Sequence, residues 1–382
     1  MSEKTPLAKR AAQAAVFTVG GGVALAFAFA GSASADQITS QNADVTNAGV
    51  GIANSGGNVA VGNASQNTAG CGQAAVGFVA SNACDSGNAS DGSASITTGS
   101  ATGVGNDSQT TVGQAAAGPA GPGPGLVVTD QDADVTNAGL GVGNSGLNAA
   151  VGNASQNTAL NGQLAIGAIA SNAGSAGNVS DGSASISTGD ATGVGNESST
   201  TIGQAASGGK GAGLAVIIQD ADVDNVGIGL ANSGGNLALG NISDNLAVNL
   251  QGAFGLVASN AGSATNASNG GASIKTGNAT GVGNRSTTTI GQGAAVDPVG
   301  LAVVIQSAPV LNAGLGLANS GLNAGLGNGS LNNQILAQVS FGLLASNVGS
   351  ASSWSDGFAL VLTGNATGIG NDSTTAVKQY TV

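Results

Sequence analysis

Thr46-Asn47-Ala48-Gly49-Val50-Gly51-Ile52-Ala53-Asn54 runs into Ser55-Gly56-Gly57-Asn58 and then into Val59-Ala60-Val61-Gly62-Asn63. In an extended chain Ala48, Val50 and Ile52 share one face, and Asn47, Gly49 and Gly51 share the other. That period of two marks a strand. Asn and Gly tolerate the backbone angles of a tight turn, and Val59 and Val61 begin a second alternating run. In a helix, Gly at alternate positions would cost up to about 1 kcal/mol each relative to Ala. The reading is strand, turn, strand.

The pattern recurs. Asn-Ser-Gly-x-Asn starts at Asn54, Asn144, Asn232 and Asn319, offsets of 90, 88 and 87. Ala-Ser-Asn, ending at Asn82, Asn172, Asn260 and Asn347, moves with it, as does Ala-Thr-Gly-[Val/Ile]-Gly-Asn from Ala101, Ala191, Ala279 and Ala366. Three landmarks in one register mean four tandem copies of one unit. Breakers mark the seams: Gly118–Gly125, Ser207–Gly211 and Val296–Gly300. Apart from Pro6 and Pro309, every proline lies at a seam. That suits continuous strand pairing, because proline donates no ladder bond. The expected division is 1–35 leader, 36–117, 126–207, 214–295 and 302–382 repeat units, and 118–125, 208–213 and 296–301 linkers.

The expected fold is all-β, a repetitive β-solenoid of stacked strand-turn-strand rungs in four tandem units. With several rungs per copy, roughly four, the rod would be about 75 Å long at the usual strand spacing. Three Asn columns stand out: Asn54, Asn144, Asn232, Asn319; Asn63, Asn153, Asn241, Asn328; and Asn106, Asn196, Asn284, Asn371. Asn serves turns, and stacked Asn can hydrogen-bond along a ladder. Sequons such as Asn63-Ala64-Ser65 are read as turn chemistry.

Residues 1–35 read as a bacterial signal peptide. Lys4, Lys9 and Arg10 precede an apolar stretch from Ala11 to Ala30, and Ala33-Ser34-Ala35 is a small-x-small cleavage site before Asp36. Gly20-Gly21-Gly22 argues against a retained anchor, and after cleavage no integral membrane segment is expected. The expected location is outside the cell, at a bacterial surface.

Of 382 residues 68 are Gly, 7% are charged and 2% aromatic. There is no His, which excludes imidazole-based catalysis and metal ligation. Net charge is −12, and three of the seven Lys and Arg lie in the leader. Nucleic acid is therefore not an expected partner. Trp354 and Tyr380 are the only Trp and Tyr, and no acid recurs with a partner in all four copies. An enzyme is not expected, nor a cofactor or metal.

Cys71 and Cys84 occur only in copy one, and an exported chain with two cysteines is expected to bond them. Asp130, Asp132 and Asp134 share a strand face, as do Asp220, Asp222 and Asp224. Calcium could bridge them, but copy one keeps only Asp44 and copy four has Ser307 and Pro309, which favours a solvated acidic edge. Thr98, Thr188, Thr276, Thr363 and Thr102, Thr192, Thr280, Thr367 form columns. They fit either strand propensity and turn hydroxyls or a flat array that binds ice or a crystalline polymer.

Ser55-Gly56-Gly57-Asn58-Val59-Ala60-Val61-Gly62-Asn63-Ala64-Ser65-Gln66-Asn67 resembles a curlin repeat. The resemblance implies a strand-turn-strand unit with Gln and Asn ladders and assembly into extracellular amyloid fibres. It covers about a dozen residues per copy, and copies two and four depart from it with Leu147 and Leu322 in place of the second Gly. The Asn/Gly texture is also similar to repeats of some mycobacterial surface proteins. The function expected is a secreted structural protein, a self-assembling fibre or surface-layer component whose partner is itself or another cell-surface component. The alternative is a monomeric adhesin or binding rod for a glycan, for ice or for another surface protein. Copy four, with Pro309, Trp354 and Phe358, is the expected capping unit.

Overall fold

The computed structural model describes residues 37–118, 125–208, 213–296 and 301–382. The signal-peptide reading, and the seam prolines Pro119, Pro122, Pro124 and Pro298, lie outside them. The described residues are strands joined by short turns, with no helix.

Copy one forms β1 (Gln37–Asn54), β2 (Val59–Val76), β3 (Val79–Ala83), β4 (Ser86–Thr97) and β5 (Ala101–Ala117). Copy two forms β6 (Leu126–Asn144), β7 (Ala149–Ile166), β8 (Ile169–Ser187) and β9 (Ala191–Ser207). Copy three forms β10 (Leu214–Asn232), β11 (Leu237–Phe254), β12 (Val257–Lys275) and β13 (Ala279–Ala295). Copy four forms β14 (Leu301–Ser307), β15 (Val310–Asn319), β16 (Ala324–Phe341), β17 (Leu344–Leu362) and β18 (Ala366–Thr381).

Among the described residues no strand pairs within its own copy. Each pairs in parallel with its equivalent in the next: β1-β6-β10-β14/β15 (sheet I), β2-β7-β11-β16 (sheet II), β3/β4-β8-β12-β17 (sheet III) and β5-β9-β13-β18 (sheet IV). Equivalent residues sit opposite one another, as Asn47 opposite Asn137 and Asn225 opposite Asn312. The fold is the β-solenoid expected, but its rung is four times larger. One copy is one rung, not four, so the expected 75 Å rod is instead a slab four rungs tall. First and last rungs stand only about 14 Å apart, whereas an 18-residue strand runs about 60 Å.

The sheets face each other in pairs, I against IV and II against III. Within a rung the chain runs out along β1 and β2, reverses at Gly77-Phe78, and returns along β3, β4 and β5. Midway, the Ser-Gly-x-Asn turn lies across from the opposite turn: Ser55 Oγ donates to the Gly99 carbonyl (2.6 Å), and Ser145, Ser233 and Ser320 repeat this at Gly189, Gly277 and Gly364. The turn demands a left-handed residue. Gly57 and Gly235 supply it with φ of 79° and 76°, but Leu147 and Leu322 adopt 63° and 57°. In an isolated chain that conformation would strain each leucine by about 1–2 kcal/mol.

The Asn/Gly face turns inward, and the Val/Ile face outward. A Cβ on Gly51, Gly141 or Gly229 would lie 2.0 Å from the carbonyl oxygen of Val104, Val194 or Val282 on the opposing sheet. Glycine is required there because the sheets touch backbone to backbone. Elsewhere the interior alternates thin apolar columns, such as Val135 and Val223 with Ile202 and Ile290, with columns of Asn and Gln. Each fully buried Ile contributes about 1.5–3 kcal/mol. Outside, sheets I and II present Val50, Ile52, Leu237, Phe254, Leu315 and Ile335. In rungs one to three, sheets III and IV present mainly Ser, Thr, Gly and Ala, whereas β17 of rung four exposes Val348, Trp354, Phe358 and Leu360.

Candidate functional site: the two ends of the stack

Because equivalent residues lie in register, an inward Asn meets the same Asn one rung away. Asn63 Nδ2 donates to Asn153 Oδ1, Asn153 to Asn241 and Asn241 to Asn328, at 2.8, 2.9 and 3.0 Å. Asn106, Asn196, Asn284 and Asn371 do the same at 2.6–2.7 Å. The Asn54 column runs the other way: Asn144 donates to Asn54, Asn232 to Asn144 and Asn319 to Asn232, at 2.6–2.7 Å. All three expected columns form ladders.

Sequence reading did not single out further ladders. Asn47, Asn137, Asn225 and Asn312 bond in series at 2.8 Å each, and Asn67, Asn157, Asn245 and Asn332 at 2.9 Å. The Asn ending each Ala-Ser-Asn landmark forms another, from Asn82 to Asn347. Two Gln columns, Gln41-Gln131-Gln219-Gln306 and Gln114-Gln204-Gln292-Gln379, run against the Asn63 direction. Their members recur at the offsets of the repeat landmarks, which is the signal that could have found them.

Every ladder has a direction, so its two ends differ: one ends on an amide donor, the other on a carbonyl acceptor. The rungs at the ends also leave one full edge of each sheet unpaired by any strand in the described residues. Such edges template further pairing. Pro309 does not guard the edge of rung four. Its carbonyl accepts from Val223 N–H (3.1 Å), so its ring nitrogen lies on that same inner side of the strand. The outer edge of β14 and β15 keeps its N–H groups.

The other singled-out residues separate. Cys71 and Cys84 are disulfide-bonded, with Cα atoms 6.5 Å apart, and tie sheet II to sheet III in rung one. Their columns continue as Asn161, Asn249 and Leu336 from Cys71, and as Gly174, Gly262 and Gly349 from Cys84. The seven aspartates Asp44, Asp130, Asp132, Asp134, Asp220, Asp222 and Asp224 lie on the same outward face of sheet I, with Asp132 opposite Asp220 and Asp134 opposite Asp44 and Asp222. Burial first, and then the neighbouring carboxylates, push Asp132, Asp134 and Asp222 above the usual carboxylate range. Among the described residues no His, Cys, Asp or Glu group is placed to hold a metal ion.

The two Thr columns do not share a face. Thr98, Thr188 and Thr276 are buried at the turns and donate to the carbonyls of Ser145, Ser233 and Ser320, each at 3.1 Å. Thr102, Thr192 and Thr280 point the opposite way along the strand. A flat array of both columns is therefore not present. Among the described residues no helix is long and apolar enough to cross a membrane. Comparison with protein-family models, with curated proteins and with solved structures finds no match to this chain.

Proposed function

We propose that this chain is a secreted structural protein that assembles with copies of itself into an extracellular fibre or surface layer of a bacterium. The observation that carries the reading is the pair of open ends, each a whole rung whose edges have no partner strand among the described residues and whose ladders stop in mid-series. In globular sheets such edges are blunted by Lys, Pro or bulges. Here rung one holds neither Lys nor Pro, and rung four holds Lys378 and the inward-facing Pro309. The leader motif and the disulfide favour an oxidising compartment outside the cytoplasm. A role built on the slab rather than on catalysis fits a chain without His.

The test is light scattering and electron microscopy on the chain from Asp36 onward, across salt and pH. Concentration-dependent growth into fibres is expected, with an axial rise of about 19 Å per molecule and a strand reflection near 4.8 Å. Strictly monomeric behaviour in every condition refutes self-assembly and leaves the monomeric binding rod.

A further inference from the structure

We propose that molecules stack in one direction only, rung four of one copy on rung one of the next, and that two facing acid pairs hold this contact back at neutral pH. The proposal rests on the self-assembly reading above and adds the register, the polarity and the brake.

The polarity follows from the ladders. In rung four, Asn312 Nδ2 donates to Thr375 Oγ1, as Asn225 does to Thr288, but Asn225 also donates to the next rung. The second amide hydrogen of Asn312 is aimed where Asn47 of a further copy would present its Oδ1. At the other end, Gln41 Nε2 donates to the Ala115 carbonyl (3.1 Å), matching Gln131 to Ala205 and Gln219 to Gly293. Gln131 and Gln219 each also donate to the Gln Oε1 of the rung below, at 2.7 and 2.8 Å. Among the described residues Gln41 has no such rung, and Gln306 of another copy supplies the Oε1. Ladders of both directions are continued by the same head-to-tail contact. Two like ends would set acceptor against acceptor in the Asn47, Asn63 and Asn106 columns of rung one, and donor against donor in the same columns of rung four, with the senses exchanged in the Asn54 and Gln columns.

The brake follows from the same register. Asp91, Asp181, Asn269 and Asp356 are one outward column of sheet III. Asp107, Glu197, Arg285 and Asp372 are one outward column of sheet IV, where Arg285 reaches Glu197 (3.6 Å) and Asp372 (3.9 Å). Stacking places Asp356 on Asp91 and Asp372 on Asp107, one strand spacing apart. Among the described residues, the remaining charged side chains of the two rungs meet neutral partners: Asp44 meets Pro309, Asp85 meets Ser350, and Lys378 meets Gly113. Like charges directly opposed across strands oppose pairing. Neutralising or reversing one member of a pair releases it.

The experiment measures elongation on fragmented seeds of the mature chain at low salt, with Asp91→Lys, Asp356→Lys and the double variant. Each single variant turns a repulsive pair into an attractive one and is expected to grow about tenfold faster than wild type. The double variant opposes two lysines and returns to slow growth. An equimolar mixture of double variant and wild type grows faster than either alone, because every mixed contact pairs Lys with Asp. High salt compresses all these differences. Circular dichroism of each monomer confirms the β fold, and Asp107→Lys, which leaves the Arg285–Asp372 pair intact and is likewise expected to speed growth, repeats the single-variant test should a variant not fold. Fibres whose growth ignores the swaps, or a double variant as fast as the singles, overturn the register while leaving self-assembly intact. Absence of fibres in every condition overturns both.

Discussion

Asn225 sits at the centre of a ladder, fully buried in rung three. Its Nδ2 donates to Thr288 Oγ1 (3.2 Å) and Asn312 Oδ1 (2.8 Å), and its Oδ1 accepts from Asn137 Nδ2 (2.8 Å) and Ser198 Oγ (3.0 Å). Asn225→Ala strands two buried donors, an amide hydrogen of Asn137 and the Ser198 hydroxyl. At about 1–3 kcal/mol for each unsatisfied buried group, the loss is about 2–6 kcal/mol. Asn47 occupies the same column in rung one. Its Nδ2 donates to Thr110 Oγ1 and Asn137 Oδ1, and Asn137 Oδ1 still accepts from Ser108 after the change. Asn47→Ala strands no buried donor of the next rung and should cost only about 0.5–1.5 kcal/mol. Urea unfolding of the dilute monomer, compared at a shared slope, reads the difference. The pair Asn137→Ala and Asn225→Ala should cost less together than the sum of the singles, because each removes the donor or acceptor the other strands. Equal losses for Asn225→Ala and Asn47→Ala would refute the directional ladder.

Two other measurements probe the slab. Asp132, Asp134 and Asp222 have raised values in the folded chain, so the folded form holds more protons than the unfolded one across the carboxylate range and stability rises as pH falls. Their contribution is complete below the unfolded value near 3.9 and is lost as pH rises through the raised folded values. The expected outcome is a higher Tm at pH 4 than at pH 7, with Asp134→Asn raising Tm at pH 7 and flattening the dependence; a Tm that falls steadily toward pH 4 contradicts it. Gly141→Ala drives a Cβ into the Val194 carbonyl and should prevent folding or destabilise by more than about 3 kcal/mol, whereas Gly162→Ala, with nothing within 4 Å, should change stability by less than about 1 kcal/mol. Thermal melts that rank the two alike contradict backbone contact between sheets I and IV.

Strands, turns and copies could be read from the residues because each is local: alternate Gly, the Ser-Gly-x-Asn turns, the repeated landmarks. The rung was misjudged because closure is not local. The runs around Val50 and Val59 could pair with each other or with their equivalents 90 residues on, and hydropathy along one strand does not choose. The constant offset does choose, since identical amides at Asn63, Asn153, Asn241 and Asn328 gain most when each sits opposite the next. The orientation of the faces was equally hidden. Val50 and Ile52 form the more apolar face, yet Gly49 and Gly51 are the side that lets two backbones meet, and that contact is a property of the opposing Val104-Gly105 segment. Copy four, read as a cap, has a single neighbour like copy one, and its proline faces inward.

That one copy is one closed layer has a consequence for how such a chain can change over generations. Deleting copy two would set rung three directly on rung one, with Asn225 above Asn47 and Gln219 above Gln41, so the matching positions survive the cut. Duplicating a copy inserts another layer on the same terms. Unequal recombination between the repeats therefore alters height in steps of about 4.8 Å and leaves the slab's width and both of its terminal rungs unchanged. Thickness is free to drift, whereas a shift of a single residue within one copy would throw every column of that layer out of line.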